Sequence, residues 1–256
     1  MNNSEYDIYE DLILKRDAYN KEAGLTKIEY YKLFGDLILE SWQMKLECIK
    51  LKKKIAFCQT ATLRNLPVDL DEMERTAKRE MTLYNMQMQE VIDDLDKAEA
   101  AEEASEYSVE QSGIIYGRVA RLIHPELNTA VVENRELLDL WRKVVAAYNS
   151  NDDIELDKLE LQIMKITGSM GMYDNKEHIP DNLEERIKRV EFDIKKIINY
   201  EPYTYKAILS SPDMIEATKD DMNQDIDEYC SMKETLEEEL KTFLSDGGDV
   251  TDWLKA

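Results

Sequence analysis

The feature that most limits what this chain can fold into is an apolar heptad repeat sustained over two long stretches. Between residues 27 and 63, Phe34, Ser41, Cys48 and Ile55 hold one seam position, and Leu37, Met44, Leu51 and Cys58 the other. Between residues 69 and 100, Leu70, Ala77, Tyr84, Val91 and Ala98 recur at sevens, interleaved with Met81, Met88 and Leu95. A seven-residue period places these side chains along one face of an α-helix, whereas strand side chains alternate every second residue. Trp42 and Leu46 widen the first stripe, which implies packing against more than one helix. Asn65-Leu66-Pro67 separates the two stretches, and Asp69 with Glu72 three residues later is a helix-start signal. The expectation is a long antiparallel helical hairpin, with the methionines in its core.

The rest of the chain reads as helices too. Residues 5–22 form a first helix on Tyr6, Tyr9, Ile13 and Tyr19. Gly24 stands just past its end, and Thr26 with Glu29 opens the next helix. Residues 93–106 are dense in acid and read as a solvated linker, with no Asp-x-Asp-x-Asp-Gly loop to organise a cation. Ser108 with Gln111 caps a helix that ends before Pro125. Leu137, Leu140, Trp141, Val144, Ala147 and Tyr148 mark another, and Ile154, Leu156, Leu159, Ile163 and Ile166 a shorter one that Gly168 and Gly171 break. Pro180-Asp181 opens the helix of Leu183, Ile187, Val190, Ile194 and Ile197. The aromatic turn from Tyr200 to Tyr205 interrupts it. Ser211-Pro212 starts the last helix, where Ile226, Tyr229, Leu236, Leu240 and Phe243 face inward, Lys233 interrupts the stripe, and Gly247-Gly248 ends it before a tail with Trp253. The fold class is all-α: an N-terminal hairpin over 1–100, a helix pair over 107–167 and a C-terminal hairpin over 176–246.

Only 8 Gly and 5 Pro in 256 residues fit that reading. The net charge of −22 argues against nucleic acid or an anionic membrane surface as the main partner, because both need a basic footprint. No window is apolar enough for a membrane span, and the start of the sequence does not read as a signal peptide. Cys48, Cys58 and Cys230 lie at no metal-binding spacing and read as packed thiols in a reducing cytoplasm. The basic run Lys45, Lys50, Lys52, Lys53 and Lys54 reads as a solvated helix face, the alternative being a cradle for an acidic partner segment. No phosphate loop, Gly-x-Ser-x-Gly, His-Glu-x-x-His or Cys-x-x-Cys occurs, and only His124 and His178 offer an imidazole. A non-catalytic protein without metal or cofactor is expected.

One mid-chain stretch carries more specific information. Tyr116, Val119, Ala120 and Ile123 share a helix face that runs into His124-Pro125-Glu126. Pro125 disfavours the α conformation at His124 and cannot donate an N–H, so the helix stops there. Trp141, Val144, Ala147 and Tyr148 follow on the next helix. This pattern resembles the centre of a J domain, the module by which DnaJ-type co-chaperones engage Hsp70. The family's second helix runs Tyr, Leu-Ala and a hydrophobe before His-Pro-Asp, and its third carries an aromatic, an aliphatic three residues on, then Ala-Tyr. The resemblance spans roughly residues 107–160. Here Glu126 replaces the family's Asp, Gly117 stands at a commonly basic place, and no Tyr-x-x-Leu-Gly helix lies upstream. The resemblance implies that His124, Pro125 and Glu126 contact an Hsp70-type chaperone, with Arg118 and Arg121 adding charge pairing. The expected function is that of a co-chaperone-like protein, with the hairpins binding clients, bracing the fold or oligomerising. The alternative is a coiled-coil scaffold in which the J-like pair serves only packing.

Overall fold

The computed structural model describes residues 3–169 and 182–245. Within them the chain is all-α, without a strand. The helices are α1 (Asn3–Leu63), α2 (Leu70–Glu80), α3 (Thr82–Ala100), α4 (Glu106–Ile123), α5 (Thr129–Glu133), α6 (Arg135–Asn149), α7 (Asp153–Ser169), α8 (Leu183–Asn199), α9 (Tyr205–Leu209) and α10 (Pro212–Ser245). No helix among the described residues is long and apolar enough to cross a membrane. The expected Gly171 break, the Pro180-Asp181 helix start, His178, Gly247-Gly248 and Trp253 lie outside the described residues.

Several boundaries depart from expectation. The break at Gly24 does not occur: α1 runs unbroken, and Thr26 is a buried helical residue rather than a cap. A helical glycine costs about 1 kcal/mol relative to alanine, and burying Ala23 and Thr26 beside it outweighs that. The second hairpin arm is divided instead, because Met81 leaves the helix for one residue between α2 and α3. Asp69 does cap α2, accepting from the Glu72 N–H at 3.0 Å. Helix α4 starts at Glu106, with Ser105 rather than Ser108 as its cap. Helix α7 passes through Gly168.

The chain also partitions differently from three consecutive segments. One compact unit comprises Met1–Lys27 with Ala101–Lys206, the other Ile28–Ala100 with Ala207–Ala256. Helix α8 falls in the first and α10 in the second, so the expected C-terminal hairpin is not a unit. Each instead shares a core with part of α1: Leu183, Val190 and Ile194 cluster with Tyr6, Tyr9 and Ile13, while Leu236 clusters with Cys48 and Ile55.

In the second unit, α1 and α2–α3 run antiparallel. The Cys58 thiol meets the Met73 sulfur at 3.6 Å, Lys53 pairs with Glu80 at 3.1 Å, and Gly35 lies against Leu95. A Cβ on Gly35 would stand 2.3 Å from a Leu95 methyl carbon, so glycine permits this close approach. The basic run is therefore not a uniformly solvated face: Lys54 is buried against Glu74, and Lys45 lies over the Trp42 ring at 4.7 Å. Lys233, the interruption in the α10 stripe, pairs with Glu47.

In the first unit, α4, α6 and α7 form a three-helix bundle around Val119, Ile123, Leu137, Val144, Leu156 and Ile163, all fully buried. Asn151 adopts a left-handed φ of 57° to turn the chain from α6 into α7, a conformation asparagine tolerates. Its side chain accepts from the Ser112 hydroxyl at 3.2 Å. The first turns of α1 run antiparallel along α4, pairing Glu10 with Arg121, Asp17 with Tyr116 and Lys21 with Ser112. The J-like helix pair thus does not stand free.

Candidate functional site: the His-Pro-Glu loop and its α1 clamp

Pro125 shapes this loop as the sequence implies. His124 is the C-cap of α4, its N–H donating to the Ala120 carbonyl at 2.9 Å while its ψ of 124° leaves the helix. Its carbonyl then accepts from the N–H groups of Leu127 and Asn128 at 3.0 and 2.8 Å. Asn128 locks the exit. Its side-chain nitrogen donates to the Leu122 carbonyl at 3.1 Å, and its oxygen caps the short α5 by accepting from Ala130. The apolar pattern carries no sign of that short helix.

The eight residues that carry the apolar half of the pattern converge. Tyr116, Val119, Ala120, Ile123, Val144, Ala147 and Tyr148 are buried in one cluster, with Trp141 partly buried against it. The Tyr116 and Tyr148 rings stack at 3.8 Å, and Trp141 meets the His124 imidazole edge-on at 4.6 Å.

The polar half is arranged differently from the expectation of an outward-facing imidazole. His124 is only 4 % exposed. Its Nδ1 accepts the Glu126 N–H at 3.1 Å, which places the ring proton on Nε2, 3.3 Å from the Asp17 carboxylate. The same carboxylate oxygen accepts the Tyr116 hydroxyl at 2.8 Å. Beside it, Arg16 grips Glu126 with both guanidinium arms, at 2.7 and 3.1 Å, and bonds to the other Asp17 oxygen at 3.1 Å. Arg118 and Arg121 are also engaged within the molecule. Arg118 forks onto the buried Glu160 at 2.6 Å on both arms, and Arg121 donates to Glu10 at 2.7 Å.

These contacts set the local electrostatics. Burial pushes the Asp17 carboxyl up, but the hydrogen bonds it accepts from His124 and Tyr116, with the Arg16 charge beside it, outweigh that and hold Asp17 below the ordinary range. Burial first, and the Asp17 charge second, raise both Tyr116 and Tyr148. Lys21 lies 3.9 Å over the Tyr148 ring and donates to the Ser112 hydroxyl at 3.1 Å, and burial lowers its amine to about 8. A cavity of about 260 Å³ borders Arg16, Asp17, His124, Glu126, Trp141 and Tyr148. A second, of about 540 Å³, lies on the α8 side of Glu126 and is edged by Tyr9, Arg186 and Arg189. No group of three or more His, Cys, Asp or Glu among the described residues is placed to hold a metal ion.

Arg16, Asp17, Glu10 and Glu160 are the residues that sequence reasoning missed. One signal was available. The stripe Tyr6, Tyr9, Ile13 continues at helical spacing onto Asp17, a charge on an inward face that calls for a buried partner. Nothing in the spacing connects it with a histidine more than 100 residues away. No protein-family profile, curated protein or solved structure matches the chain.

Proposed function

We propose that residues 107–167 form a J-domain-like module, and that the protein acts as a non-catalytic co-chaperone whose His-Pro-Glu loop contacts an Hsp70-type chaperone. What supports the reading is the convergence of the residues on which the resemblance rests: Trp141 packs on the His124 ring and on Tyr116, and Tyr116 stacks on Tyr148. Spacing alone brings such residues to one helix face. Meeting around the loop is a stricter requirement. Pro125 holds the backbone bend, and Glu126 keeps a side chain that is 43 % exposed. That carboxylate is the group of the loop most open to an outside cation.

The test is single-turnover ATP hydrolysis by an Hsp70-type chaperone from the same organism, with this protein and its His124→Gln and Glu126→Asp variants. Stimulation that His124→Gln abolishes supports the reading. Absence of both stimulation and binding with all three proteins overturns it.

One observation favours a second reading, a scaffold in which the pair serves only packing. His124, Glu126, Arg118 and Arg121 all have intramolecular partners, as side chains used for tertiary structure would. On that reading both substitutions change stability and leave every chaperone assay silent.

A further inference from the structure

We infer that Arg16 of α1 is an autoinhibitory clamp, which occupies Glu126 and must release it before an outside partner can use the loop. The inference rests on the co-chaperone reading and adds its regulation. Three observations carry it. First, the Arg16 guanidinium meets Glu126 through both arms, at 2.7 and 3.1 Å, so the carboxylate has its two oxygens committed inside the molecule. An arginine–carboxylate fork is among the stronger side-chain pairings, and a partner cation that takes the carboxylate in the same two-pronged way has to displace Arg16 from it. Second, exposure is uneven. The Arg16 side chain is 14 % exposed and anchored from behind by Asp17, whereas the Glu126 side chain is 43 % exposed. Release therefore requires only that Glu126 swing outward, with α1 staying docked through Tyr9 and Ile13, both buried. Third, the other loop contact does not depend on Arg16. Asp17 accepts His124 Nε2 and the Tyr116 hydroxyl through the oxygen that Arg16 does not touch. Removing the guanidinium thus frees the carboxylate while the imidazole stays in place.

The two side chains stand 110 positions apart in sequence. The clamp is therefore a tertiary contact, sensitive to whatever moves the first turns of α1. Partner binding and clamping compete for one carboxylate, so each weakens the other by the same factor.

The experiment uses the full chain, with Arg16→Ala and, as a milder variant, Arg16→Lys, which keeps the charge and loses the fork. Two readouts are taken. Hydrogen exchange of the His124, Glu126, Leu127 and Asn128 amides, without chaperone, reports whether the loop backbone stays intact in the variants. Affinity for the Hsp70-type chaperone reports whether it competes. The clamp predicts about tenfold tighter binding for Arg16→Ala, with Arg16→Lys between it and the wild type, as expected for loss of a charge-assisted fork, and unchanged exchange at Glu126, Leu127 and Asn128, whose amides bond to His124 rather than to Arg16. Equal chaperone affinity of wild type and both variants overturns the clamp and leaves the co-chaperone reading standing. No chaperone binding by any of the three overturns that reading, and the clamp's regulatory role with it.

Discussion

Asp17 is where the structure makes its most quantitative claim. Its carboxylate, with a side chain 13 % exposed, accepts the His124 ring proton, the Tyr116 hydroxyl and the Arg16 guanidinium. Replacing it with alanine strands two buried donors, on a histidine and a tyrosine each about 4 % exposed. Hydrogen bonds to a charged group contribute roughly 1.5–3 kcal/mol each, and an unsatisfied buried donor costs about 1–3 kcal/mol. Relief of the aspartate's own burial cost offsets part of this. Asp17→Ala is therefore expected to destabilise by about 3 kcal/mol at pH 7, and Asp17→Asn, which keeps an acceptor, by about half as much. The effect depends on pH. The folded state holds Asp17 below its ordinary range, so the folded carboxylate binds protons less readily than the unfolded one. Its stabilisation is fully present above the unfolded value of about 3.9 and is lost as pH falls through the lower, folded value. Urea denaturation of the wild type and Asp17→Asn, followed by far-UV circular dichroism at pH 7 and pH 3, reads this directly. The deficit of the asparagine variant must shrink at pH 3. A variant as stable as the wild type at pH 7, or a deficit that grows in acid, refutes the argument that this carboxylate is held ionised by its donors.

Two further substitutions test the helix packing. Gly24 sits inside the continuous α1 with no heavy atom within 4 Å of the place an alanine methyl would take, so Gly24→Ala should stabilise by about 0.5–1 kcal/mol in thermal denaturation; destabilisation would mean that a break exists there after all. Gly35 is the opposite case. Gly35→Ala pushes a methyl onto the end of the half-buried Leu95 side chain, which must turn aside, so the clash should cancel the helix-propensity gain to within about 1 kcal/mol, while in a Leu95→Ala background the same substitution should stabilise by about 0.5–1 kcal/mol; a double-mutant cycle showing no coupling refutes the close approach.

Much of the local structure was legible in the residues themselves. Helix periodicity in α1, α6 and α10, the Asp69 cap and the stop at Pro125 all follow from rules that act within a few residues. The apolar half of the J-like pattern was legible for the same reason, since Tyr116, Val119, Ala120 and Ile123 lie on one face of a single helix. Gly24 and Thr26 misled because their preferences amount to about 1 kcal/mol each, less than the packing around them supplies. Met81 misled in the other direction, since its heptad place in the stripe carries no sign of the one-residue turn.

The pairing of polar groups was not legible. His124, Pro125 and Glu126 looked like an exposed recognition triplet because a sequence displays a loop without whatever covers it. Only the folded chain brings Arg16 and Asp17 onto that loop, and only it divides α1 between two cores, one with α8 and one with α10. The physical reason is one of range. Helix formation and capping are decided by neighbours along the chain, so sequence alone determined that this protein is all-α and where the His-Pro-Glu turn falls. The state of a charged side chain is decided by neighbours in space, so whether Glu126 faces solvent or an arginine was left to the tertiary structure.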